Sequence, residues 1–163
     1  MEGWATYIES YGYQYAARDL DDPAATDYTR LIALNRRINL CLYSLLDIGI
    51  HYYGWDETQA ARLLQFFGIT DAHVVSEIFQ YIVETPANYQ KYCWGCLNFL
   101  DLKKEWKDTL GDDFNLKAFH QNLLEIGPVQ FPVLQKYMNE RLQKKYKEVP
   151  VRTSHFMTVY NIF

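Results

Sequence analysis

The chain has no apolar run approaching the ~18–20 uninterrupted residues of a membrane span, and its opening Met1-Glu2-Gly3-Trp4 has neither the basic nor the apolar region of a signal peptide. No membrane partner is expected. Basic excess is also missing. Sixteen Lys and Arg stand against 20 Asp and Glu, a formal net charge of −4, so there is no surplus to neutralise phosphates and nucleic acid is disfavoured. Cysteine is scarce and odd in number, three residues at positions 41, 93 and 96. That excludes a disulfide framework, and free thiols lean the compartment towards a reducing cytosol. Gly and Pro, 8 and 5 in number, are scattered, which excludes collagen-like and low-complexity segments. Glycine-rich phosphate loops, a nucleophile elbow and any His-x-x-x-His pair are absent as well.

What remains is a globular composition: 163 residues, 49% hydrophobic, 17% aromatic, with 14 Tyr. At ~100–200 residues per domain the expectation is a single helical domain over 1–163. Apolar residues recur at helical spacing, as Trp4, Tyr7, Ile8, Tyr11 and Tyr15 and then as Leu31, Leu34, Ile38, Cys41, Leu45 and Ile48. No segment alternates with period two for long enough to make a strand. Asp22-Pro23 and Thr85-Pro86 read as N-caps followed by Pro at the first helical position. Asp56 with Gln59 has the form of a capping box, Asn115 can cap a helix, and Gly68, Gly111 and Gly127 sit where helices should stop. The class is all-α, with about seven helices near 2–19, 23–52, 56–67, 71–84, 86–110, 116–126 and 131–147. Residues 148–163 lose the period and read as an extended tail. Arg141, Lys144, Lys145 and Lys147 lie in a helix's last turns, where cations complement the dipole, and read as a solvated end rather than a binding patch.

Several residues can carry chemistry. Asp47 and His51, spaced i, i+4, share a helix face with Tyr43 one turn earlier, so the carboxylate can set the imidazole tautomer; an ordinary helix-end hydrogen bond is the plainer reading. Glu2 and Glu9, seven apart, also share a face. Cys93-Trp94-Gly95-Cys96 has redox or zinc spacing, but without a second pair or a βαβ context it reads as two inert buried thiols. His73, His120 and His155 stand alone. The Tyr residues mostly pack, although aromatic side chains with polar tips also line peptide and sugar grooves.

The opening E-G-W-A-x-Y-x-E of Glu2 to Glu9 resembles the bacterial family known as domain of unknown function 885, whose members look like gluzincin-type zinc metallopeptidases. The resemblance continues through Leu34-Asn35-Arg36, a D-x-G-x-H…G-W segment from Asp47 to Trp55, and P-x-x-x-x-x-Y-x-x-G from Pro86 to Gly95. It closes with Phe119-His120 and Ile126-Gly127-Pro128. The family carries its H-E-x-x-P-G-H motif upstream of the E-G-W segment, and this sequence has none. The resemblance therefore implies that Glu2 is the third zinc ligand, with two histidines and the general base supplied by an upstream catalytic segment. It implies a peptide substrate, with His51, Tyr92 and Asp47 at the cleft and either His51 or Tyr92 polarising the substrate carbonyl. Ala87 and Asn88 replace the family's Gly and Gln.

Catalytic zinc needs three protein ligands and an open position, so the isolated chain is expected to be metal-free, inactive and prone to self-association through an uncovered apolar face. Met1 would then be an in-frame start or lie within a longer reading frame. A different class of function is a free-standing helical module holding a peptide or partner helix in a Tyr-lined groove without chemistry.

Overall fold

The computed structural model describes residues 1–19 and 24–148, with the side chains of 17–19 and 145–148 left out. Seven α-helices carry the described chain: α1 Glu2–Asp19, α2 Ala25–His51, α3 Glu57–Phe66, α4 Ala72–Glu84, α5 Gln90–Leu110, α6 Leu116–Ile126 and α7 Phe131–Glu148. One 3₁₀ turn, Gly111–Asp113, precedes α6, and no strand occurs among the described residues. The all-α expectation therefore holds. The Asp22-Pro23 cap, the tail and the side chains of Lys145 and Lys147 lie outside the described residues.

Local chemistry sets most boundaries. At α3 the capping box closes in both directions: the Gln59 backbone N–H donates to Asp56 Oδ1 at 2.8 Å, and the Asp56 N–H donates to Gln59 Oε1 at 3.0 Å. Asn115 Oδ1 accepts the Ala118 N–H at 2.9 Å and starts α6. Gly127 ends α6 at φ 79°, a conformation that a side chain would resist. The expected start of α5 at Pro86 is wrong. Thr85 instead closes α4, its hydroxyl donating to the Tyr81 carbonyl at 2.7 Å, and a turn intervenes before Gln90.

Two compact units are distinguishable, a first over Met1–Asp101 and a second from Leu102 onward. In the first, α2 packs on α1, α3 and α4, and α3 packs on α4. Leu42, Leu46, Ala60, Leu64, Val75 and Ile82 form the core of that packing. In the second, α6 packs on α7. Trp106, Phe119, Leu123, Leu134 and Met138 are buried, and the Trp106 and Phe119 rings meet edge to face at 5.5 Å. Arg141 ties the pair together, donating to Asn122 Oδ1 at 3.0 Å and Glu125 Oε2 at 2.8 Å.

Adjacent leucines on α2 separate its two faces. Leu46 is fully buried while Leu45 is 49% exposed. Leu46→Ala should cost about 2–5 kcal/mol in urea denaturation and Leu45→Ala less than about 0.5, since only the first leaves a cavity. Burial and, secondarily, Lys103 hold the His120 imidazole below its ordinary pKa. The unfolded chain takes up a proton near pH 6.5 that the folded one resists, so this contribution is present above that pH and is lost as pH falls. His120→Gln should flatten the fall in urea midpoint between about pH 7 and 5.

Candidate functional site

The sequence segments of the first unit meet along α2 and α5. Three contacts set their register: Cys41 Sγ lies 3.8 Å from Cys93 Sγ, Gln90 Nε2 donates to the Ser44 carbonyl at 2.7 Å, and the Ala87 N–H donates to Asp47 Oδ1 at 3.1 Å. Each step of three forward along α2 is matched by three back from Cys93, so the two strands of contact run antiparallel. Cys93 thus pairs with Cys41 across helices rather than with Cys96 along its own. Burial, followed by the neighbouring Cys93, pushes the Cys41 thiol up, and burial also raises Cys96, which fits unreactive thiols.

Asp47 is 3% exposed. Its Oδ1 accepts the Ala87 N–H, and Ala87 takes φ 58°, the left-handed region that glycine adopts freely and alanine does not. This accounts for the glycine expected there from the family pattern. His51 Nε2 bonds the Ile82 carbonyl in the last turn of α4 at 2.9 Å, whereas its 3.7 Å separation from Asp47 Oδ1 is too long for a hydrogen bond. The predicted Asp–His pair therefore divides its partners between two turns. One turn apart on α2, the buried Ser44 Oγ and Asp47 Oδ2 have no partner among the described residues.

The α1 segment reaches the same seam. A Cβ on Gly3 would fall inside 3.0 Å of the Gly95 backbone, so α1 and α5 cross main chain to main chain. Beyond the crossing Trp4 and Tyr7 meet Phe99, with ring centroids 5.4 and 5.8 Å apart. Tyr7 is fully buried, and burial with a hydroxyl contact to Tyr11 at 3.0 Å raises its pKa. Glu9 faces Arg36 at 3.7 Å and accepts the Tyr13 hydroxyl at 3.1 Å. In the G-W segment the Trp55 indole lies against Gly49, where a Cβ would overlap the ring.

Gly3, Trp4, Tyr7, Glu9, Arg36, Asp47, Gly49, His51, Trp55 and Gly95 all have a packing or hydrogen-bonding partner that accounts for them. Glu2 and Tyr92 are half-buried; the Tyr92 ring has Lys91 Nζ 5.4 Å from its centroid, while its hydroxyl and the Glu2 carboxylate have no hydrogen-bond or ion-pair partner among the described residues. They stand within one turn of the Gly3–Gly95 crossing, Glu2 beside Gly3 and Tyr92 three residues before Gly95. His51 sits eight residues past Tyr43 on α2, roughly 12 Å along its axis. Tyr43 itself stacks on Tyr89 at 4.8 Å. Burial, and then the adjoining Tyr81, pushes the Tyr89 hydroxyl up to about 12. Ser44 and Gln90 escaped the sequence reading, because a backbone carbonyl accepting a glutamine 46 residues away leaves no local pattern.

Among the described residues no three His, Cys, Asp or Glu side chains converge to hold a metal ion. Catalytic zinc needs three, so the ligand set of such a site does not fit within these residues.

Ala87→Gly should raise stability by about 1 kcal/mol, the relief of left-handed strain less the extra unfolded entropy of glycine. Asp47→Ala should cost about 1–3 kcal/mol by orphaning the Ala87 N–H. In the Asp47→Ala background the Ala87→Gly gain should change, because the two sites share one hydrogen bond; a double-mutant cycle in urea measures this.

No curated protein matches the chain. A crystal structure titled as "the putative lipoprotein from Colwellia psychrerythraea" is similar at 29% identity with a TM-score of 0.68, covering 88% of this chain. The chain spans 24% of that protein's length. No described helix is long and apolar enough to cross a membrane. The family model for "Bacterial protein of unknown function (DUF885)" matches residues 1–138, and the chain belongs to that family.

Proposed function

We propose that this chain supplies the C-terminal helical part of a zinc-dependent peptidase-like protein, with Glu2 as one metal ligand and Tyr92 facing the substrate. The observation that carries the reading is the pair left over above. In the family segments the side chains of Glu9, Arg36, Asp47 and His51 have ion-pair or hydrogen-bond partners, while a carboxylate and a phenol hydroxyl remain available near one helix crossing. A carboxylate is a suitable zinc ligand, and a phenol beside a reacting carbonyl can donate a hydrogen bond to its oxygen as charge builds there. Asp47 and His51 act in this reading as positioning residues. They hold the turn before α5 and the end of α4, and so set where Tyr92 stands.

No step is assigned to the metal, since its remaining ligands would come from chain outside these residues. Support for additional chain comes from the relative, of whose length this chain spans about a quarter. The lean towards cytosol from three free thiols gains nothing from that relative's title.

The test is reconstitution. Co-expression with an upstream segment carrying a His-Glu-x-x-x-x-His helix should yield a complex that retains zinc and hydrolyses peptides. Glu2→Ala should abolish both. Tyr92→Phe should keep the zinc and lower kcat by roughly 10²–10³, the effect of removing one oxyanion donor. A native reading frame lacking that motif upstream, or a Glu2→Ala complex that keeps its zinc, would sink the reading.

A further inference from the structure

The outward face of α2 carries an apolar seam that, apart from the contact of Cys41 with Cys93 on α5, the described residues leave largely exposed. Leu31, Leu34, Ile38, Cys41, Leu45, Ile48 and Tyr52 follow one another at steps of three and four without a break. This is the a/d repeat of a coiled-coil helix, sustained over 22 residues and roughly 33 Å. Leu40, Leu42 and Leu46, off the seam in the helix's middle, turn inward and are at most 4% exposed. The seam residues Leu31, Leu34, Ile38, Leu45, Ile48 and Tyr52 are 64, 43, 49, 49, 41 and 79% exposed. Scattered exposed apolar residues need no explanation, but a continuous stripe in heptad register does.

Charge beside the seam says what fits it. The positions just before Leu31 and Ile38 are Arg30 and Arg37, both exposed, and between residues 30 and 48 the only acid is the buried Asp47. A second copy of this chain is a poor match. Antiparallel pairing would set arginine against arginine, and parallel pairing would offer those arginines Asn35 and the buried Leu42, neither of them acidic. An apolar helix with acids flanking its stripe meets both requirements.

We infer that α2 seats an amphipathic helix of about six turns, with a heptad apolar stripe flanked by Glu or Asp, contributed by additional chain of the kind that makes up the other three-quarters of the Colwellia protein. The inference rests on family membership and on this face alone, and it stands or falls apart from the zinc reading.

The probe is a capped 28-residue peptide with Leu at a and d and Glu at e and g, labelled for fluorescence anisotropy and titrated with the 163-residue chain. Saturable binding is expected, at least tenfold weaker for the same peptide with Lys at e and g. Ile38→Glu and Leu45→Glu should each weaken it at least tenfold while leaving the chain's thermal midpoint unchanged. Failure to saturate, equal binding of the Glu and Lys peptides, or indifference to Ile38→Glu overturns the proposal. So does a sedimenting dimer that Ile38→Glu dissociates and the peptide does not, which would make a second copy the occupant. The source is tested in the full-length Colwellia protein. A cysteine placed at the position aligned with Ile38 should react with maleimide at least tenfold more slowly than Ile38→Cys in this chain, both measured in a Cys41→Ser, Cys93→Ser, Cys96→Ser background or its equivalent. Equal rates would show that no segment of the longer chain covers the face.

Discussion

A single buried carboxylate organises the first unit. Asp47 lies on the inward face of α2 and reaches across to the Ala87 N–H, forty residues later in the chain. Removing a carboxylate from water is costly unless hydrogen bonds replace its hydration, so the bond constrains the backbone that must supply it. The chain answers by holding Ala87 in a left-handed conformation, which interrupts the helix that Pro86 would otherwise begin. From there Gln90 reaches the Ser44 carbonyl and Cys93 falls beside Cys41, so one contact is extended into a register of three.

That register decides what meets α1. With α5 aligned on α2, Gly95 stands opposite Gly3, and the missing side chains let two backbones touch. Trp4, Tyr7 and Phe99 fill the seam beyond the crossing with aromatic surface, and Glu9 reaches Arg36 on α2. Residues that looked like chemistry in the sequence are in this way spent on assembly. The Glu2 carboxylate and the Tyr92 hydroxyl are not, whereas Asp47 and His51 bond the turn before α5 and the end of α4.

Much of this was legible in advance because it depends on neighbours along the chain. Capping at Asp56 and Asn115, helix ends at Gly68 and Gly127 and the run of seven helices all arise from interactions within about four residues, where spacing and residue type suffice. The start of α5 was misread because Thr85-Pro86 is a sound local start signal that a distant carboxylate overrides. The C-x-x-C thiols, expected to be buried, are half-buried, and the Cys41 thiol that meets Cys93 across helices leaves no local pattern. The periodic stripe on α2 was evident as a face, yet period alone does not say whether a face looks inward or out.

From its residues alone this protein is an all-α chain of the DUF885 pattern, with Glu2, Asp47, His51 and Tyr92 marked by their place in that pattern. Helical periodicity and capping are local, and motif order is a property of the string, so both survive without coordinates. Only the tertiary structure decided which of those residues are occupied by packing, which stay available, and that the inward face of α2 is its less periodic one. Those outcomes rest on contacts between residues some forty to ninety positions apart, such as Asp47 with Ala87 and Gly3 with Gly95, whose energies no local pattern encodes.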